Sequence, residues 1–91
     1  MTTLAVDIGG ANLKAATRDS RAWSAPFALW REPAALPAQL AALATRAGDV
    51  SQWLVTMTAE LCDCFASKRD GVAHLLGAVE AVAGHTPVAV W

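Results

Sequence analysis

Charge is scarce in this sequence: Asp, Glu, Lys and Arg make up 16% of 91 residues, against about 25% in an ordinary globular domain. Seven Lys and Arg stand against eight Asp and Glu, a formal charge of −1. No basic excess exists to recruit nucleic acid or an anionic membrane surface, and neither is expected as a partner. The only cysteines, Cys62 and Cys64, fall one residue apart in a helical pattern that turns their side chains to different sides of the axis. A disulfide is not expected, and two thiols fall short of a four-ligand zinc shell. No apolar run approaches the ~20 residues that span a bilayer. Met1-Thr2-Thr3-Leu4 lacks the basic region and long apolar stretch of a secretory signal. The expectation is a soluble, cytoplasmic chain. Internal repeats and low-complexity tracts are also missing, although residues 34–47 are rich in alanine.

What the sequence does hold is apolar residues, 55% of the chain. At this length they build one thin core and no second lobe, so a single unit, 1–91, is expected, with some apolar surface left for a partner. Leu4-Ala5-Val6-Asp7-Ile8 is a short buried strand, near 3–8, stopped by Gly9-Gly10. Strands near 12–18 and 22–30 follow across the polar turn Arg18-Asp19-Ser20-Arg21, giving an antiparallel meander. Pro37, Leu40, Leu43 and Ala47 mark a helix over 37–47 that Gly48 ends. Trp53–Met57 reads as a strand. Leu61 and Phe65 mark a helix near 59–66. Ser67-Lys68-Arg69-Asp70, a capping box with Asp in place of Glu, opens another over 68–83, with Val72, Leu75, Leu76 and Val79 as its apolar stripe. Pro87 begins a strand near 87–91.

The order β-β-β-α-β-α-β, antiparallel first and crossing over through helices later, predicts an α/β fold with a mixed sheet covered on its faces by helices. This is the order of a ribonuclease-H-like subdomain.

Chemistry concentrates at Asp7-Ile8-Gly9-Gly10-Ala11-Asn12-Leu13-Lys14. A phosphate needs backbone N–H groups with no side chain in the way, and two glycines after a strand permit both the turn and the approach. Asp7 is placed to hold Mg²⁺ through water. Asn12 and Lys14, on one face of the returning strand by alternation, can donate to phosphate oxygens. The same residues also fit a plain tight hairpin, with Asp7 satisfying turn amides and Lys14 solvated. Further on, Glu60 and Asp63 share a helix face and can bind a metal or a substrate amine; alternatively they serve the helix N-terminus and solvent, with Thr58 as cap. Lys68 and Arg69 can reach an anionic substrate or form a solvated face. His74 and His85 have no visible second ligand. Trp23, Trp30, Trp53 and Trp91 follow the strands and read as core or cover.

Asp7 to Lys14 resembles the first phosphate motif of the actin/sugar-kinase/Hsp70 superfamily. Leu29-Trp30-Arg31-Glu32-Pro33, Thr56 to Phe65 and Lys68 to Val72 resemble hydantoinase/oxoprolinase-related proteins of tetrahydromethanopterin-linked C1 transfer, a group that includes methanofuran-biosynthesis synthases. The resemblance implies the N-terminal portion of a transferase acting on a phosphate-activated aminomethylfuran, with diphosphate leaving. Gly9, Gly10, Ala11, Asn12 and Lys14 then bind the phosphate or diphosphate ester, and Asp7 holds Mg²⁺. Lys14 neutralises charge, Glu60 and Asp63 stand as further catalytic candidates, and Lys68 and Arg69 contact substrate. Arg31-Glu32-Pro33 fixes the strand-to-helix corner. Ala11 replaces the hydroxyl residue that sugar kinases carry after the glycine pair, so ATP is not the favoured ligand. The family is several times longer, which makes a truncated chain, inactive without its C-terminal lobe, the expectation. Two alternatives stand beside this one: an ATP-dependent kinase of small molecules, and a non-catalytic domain that associates with itself or another chain.

Overall fold

The computed structural model describes residues 2–58 and 65–90. Among these described residues, five strands and two helices form an α/β unit: β1 Thr2–Ile8, β2 Asn12–Thr17, β3 Ala22–Pro26, α1 Leu36–Ala47, β4 Val50–Met57, α2 Lys68–Ala83 and β5 Val88–Val90. The sheet runs β3-β2-β1-β4-β5. β1 pairs antiparallel with β2, and β2 with β3, whereas β1–β4 and β4–β5 are parallel. A short turn joins the antiparallel strands, and each parallel connection requires a crossover.

Alternation decides which face is buried. Leu4, Val6 and Ile8 of β1, Leu13 and Ala15 of β2, and Trp53 and Val55 of β4 form one cluster with Leu36, Leu40 and Leu43 of α1 and Leu75 and Val79 of α2. Both helices therefore pack on the same side. This differs from the helix cover expected on both faces. The reason lies in β1, whose other side carries Thr3, Ala5 and Asp7, too small or too polar to hold a helix by burial.

Helix punctuation follows local chemistry. Pro37 sits in the first turn of α1, and Gly48 ends it at φ 90°, a region costly for residues with a Cβ. A 3-10 turn, Pro33–Ala35, leads into it. Ser67 caps α2 by accepting a hydrogen bond from the Asp70 N–H at 3.1 Å. Gly84, at φ 59°, closes α2. Arg21 reaches from the second hairpin to the last carbonyls of α1, donating to Arg46 O at 3.2 Å and Ala47 O at 3.1 Å. Those carbonyls have no intrahelical partner, and the cation also complements the negative end of the helix dipole.

Two expected strand bounds need revision, and one expected helix falls mostly outside the described residues. The third strand, expected over 22–30, ends at Pro26; Phe27 and Leu29 turn into the core, and Arg31 N–H and Glu32 N–H both bond Ala28 O at 3.1 Å. Alternation would have sent Ala28 and Trp30 to the opposite face of an extended strand; the tight turn leaves Trp30 57% exposed instead of serving as sheet cover. Of the helix expected near 59–66, residues 59–64 lie outside the described residues, while Phe65 and Ala66 form a bend. β4 begins at Val50, three residues before the expected start, because Thr2 N–H and Ser51 Oγ extend the β1–β4 edge through bonds to Asp49 O and Thr2 O.

Candidate functional site

The end of β1 brings the polar residues of the open face together. Asp7 lies between Lys14 of β2 and Thr56 of β4, its register partners on either side, and Ser24 of β3 follows next to Lys14. Partners directly across a ladder share a face, so Asp7, Lys14, Thr56 and Ser24 form one row on the side away from the helices. Thr56 Oγ1 donates to Asp7 Oδ1 at 3.0 Å. That bond fixes the carboxylate's orientation while leaving its other oxygen for a further partner. Below the row, Ala5, Ala16, Ala22 and Leu54 floor a shallow concavity of about 720 Å³. Alanines make the recess, and Leu54, 39% exposed, forms its apolar wall.

The hairpin tip stands beside this row. Gly9 N–H donates to Asn12 O at 3.0 Å, so Gly10 and Ala11 form a two-residue loop. Neither glycine has positive φ, so this is not the primed turn that usually demands glycine. The need for glycine is steric at Gly9, where a Cβ would stand 3.2 Å from Asn12 O. At Gly10 a Cβ would meet nothing within 4 Å, and the backbone there is open to an approaching group. The carbonyls of the loop are tied down: Gly10 O accepts from Leu29 N–H at 3.2 Å and Ala11 O from Phe27 N–H at 3.0 Å. On the other flank, Thr58 N–H donates to Ile8 O at 3.0 Å. Among the described residues, the Gly10 and Ala11 N–H groups have no backbone partner.

Of the residues singled out in the sequence, Asp7 and Lys14 line the concavity, and Gly9, Gly10, Ala11 and Asn12 form the adjoining tip, with Asn12 and Lys14 exposed on one face. Lys68 and Arg69 are exposed in the first turn of α2 and do not line it. Glu60, Asp63, Cys62 and Cys64 lie outside the described residues, as does Trp91. His74 belongs to the scaffold: its Nε2 lies 2.8 Å from Pro33 O and its ring packs against Phe65 at 5.3 Å. Trp53 is buried core. Trp23 is partly buried under the Arg46 guanidinium, 5.3 Å from its ring centre. Sequence reasoning missed Thr56, Ser24 and the alanine floor. Alternation in β4, with Trp53 and Val55 inward, sets Thr56 outward; only the parallel register with β1 sets it against Asp7.

No cluster of three or more His, Cys, Asp or Glu capable of holding a metal occurs among the described residues. Among the described residues, Asp7 is the one carboxylate that lines the concavity.

The structure defines an α/β unit with a polar row on the sheet face away from the described helices and a glycine hairpin tip beside it. No protein-family model matches the chain, and no curated protein matches it.

Proposed function

We propose that this chain is the phosphate-binding unit of a transferase that acts on a phosphate or diphosphate ester, with ribonuclease-H-like sheet order and the Asp7–Lys14 segment as its anion site. The observation that carries the reading is the convergence of Asp7, Lys14 and Thr56 on the open face beside a glycine tip with an unobstructed backbone at Gly10. Amides with no backbone partner among the described residues and one lysine suit a phosphate group, and the tied carbonyls keep the tip in place before ligand arrives. Asn12 and Lys14 donate to phosphate oxygens, and Lys14 offsets the charge that builds on a departing diphosphate. Mg²⁺ held by Asp7 would polarise a phosphoryl oxygen. Thr56 orients that carboxylate. The resemblance of Asp7 to Lys14 and of the segments after Leu29 and Thr56 to the methanofuran-pathway synthases makes a phosphate-activated aminomethylfuran the proposed substrate. Glu60, Asp63, Lys68 and Arg69 are the further candidates that the resemblance supplies, and cytoplasm is the proposed location. No helix among the described residues is long and apolar enough to cross a membrane.

Calorimetric titration of diphosphate with Mg²⁺ tests the site. Wild type should bind, and Asp7→Ala should bind more weakly by about tenfold, the loss of one charge-assisted contact. Equal binding by both, or none by either, removes the proposal. Consumption of added ATP would favour the kinase alternative.

A second reading draws on the apolar half of the same face. Ala5, Ala16, Ala22 and the exposed Leu54 form a patch that a second copy of this chain would cover. Light scattering decides: a monomer at high concentration counts against it.

A further inference from the structure

The loop carrying Trp30 and Arg31 is fastened to the hairpin tip. Leu29 N–H donates to Gly10 O at 3.2 Å, and the next two residues curl back as Arg31 N–H bonds Ala28 O at 3.1 Å. Two residues of chain span at most about 7 Å, so the Arg31 backbone cannot stand far from Gly10. Neither residue is used by the core. Trp30 is 57% exposed, unusual for the largest apolar side chain in a protein whose other described tryptophans are wholly or partly buried. The Arg31 guanidinium lies over its ring, 5.2 Å from the centre. Among the described residues Arg31 has no carboxylate partner, although Arg21 is paired with Asp19. Among the described residues, an exposed ring under a guanidinium with no carboxylate partner thus follows directly after the residue bonded to the tip.

Resting on the phosphate reading above, we infer that Arg31 is a second anion-binding side chain of this site, with Trp30 as the platform that orders it. Diphosphate carries more charge than Lys14 alone can balance. A guanidinium supplies two parallel N–H donors to such a group, which an ammonium cannot. Stacking on Trp30 removes part of the side chain's rotamer freedom before ligand arrives, so less is lost on binding. Lys14 is exposed on the sheet face away from the helices, and Arg31 follows β3 two residues after the Leu29 bond to Gly10. On this inference diphosphate gains a second cation that a single phosphate held by Lys14 does not use, so diphosphate is favoured over monophosphate.

The test titrates inorganic diphosphate and inorganic phosphate into wild type, Arg31→Gln, Arg31→Lys and Trp30→Leu, each checked for an unchanged thermal melt. Arg31→Gln should weaken diphosphate about tenfold and phosphate much less. Arg31→Lys should recover only part of that loss, and Trp30→Leu should weaken diphosphate about threefold. If wild type binds diphosphate and Arg31→Gln binds it equally well, the role of Arg31 falls while the phosphate site stands. Failure of wild type to bind either anion removes both. An equal loss for the two anions overturns the claim that Arg31 selects the longer one.

Discussion

Replacing each glycine of the tip by alanine separates stability from binding. Gly10 has ordinary φ, and a Cβ there meets nothing within 4 Å. Alanine then fits the folded chain without strain and removes conformations from the unfolded one, a change worth about 0.4–1 kcal/mol in favour of folding. For a domain of this size, half a kcal/mol raises Tm by roughly 2–4 °C. On the phosphate reading, the same methyl adds bulk to a loop whose backbone a phosphate group must approach closely. Gly10→Ala should therefore melt higher and bind diphosphate with Mg²⁺ more weakly. Gly9→Ala behaves otherwise. Its Cβ would stand 3.2 Å from Asn12 O, the acceptor of the 3.0 Å bond that closes the hairpin. Backbone oxygen cannot swing aside as a flexible side chain can, so that bond lengthens, and about 1 kcal/mol of stability is lost. Circular dichroism melts and calorimetric titration on both variants and wild type make the comparison. A lower Tm for Gly10→Ala than for Gly9→Ala would refute the reading of the turn. A stabilised Gly10→Ala with undiminished diphosphate binding would refute the site.

Other expectations rest on single contacts. Thr56→Val keeps shape but loses the hydroxyl bond to Asp7, and should cost about 1 kcal/mol in urea unfolding; no loss would mean that the bond contributes nothing in solution. Ser67→Ala removes the cap of α2 and should also cost about 1 kcal/mol, with the helix signal falling before global unfolding. Leu40→Ala empties a fully buried position between α1 and the sheet and should cost about 2–5 kcal/mol, a large share of a small domain's stability. The Asp19 carboxyl is held below its ordinary value first by the Thr17 hydroxyl and then by Arg21. A depressed value makes its contribution present above the unfolded value of 3.8 and lost as pH falls through the lower folded value. Below about pH 4, wild type should lose urea stability more steeply than Asp19→Asn; parallel profiles would show the pairing to be without effect.

Much of the fold was legible because it is written locally. Gly48 and Gly84 stop helices where the backbone turns to positive φ, Ser67 caps, and Pro37 fits a first turn, all from contacts within a few residues. The alternation that puts Asn12 and Lys14 on one face is equally local. The end of the third strand was less legible. Trp23 to Trp30 is rich in the aromatic and apolar residues that strands favour, yet Phe27 and Leu29 were claimed by the core and Trp30 was left outside. A pattern of apolar residues cannot say which of them the core will take.

The sequence by itself determined the order of elements and the candidate tip from Asp7 to Lys14, since turn chemistry and period are properties of neighbouring residues. Only the tertiary arrangement sets both described helices on one face, Thr56 against the Asp7 carboxylate and Leu29 against Gly10. Each depends on pairing between segments far apart in the chain, 49 residues in the case of Thr56 and Asp7. Parallel register and burial fix such pairings collectively, and no short stretch of sequence encodes them.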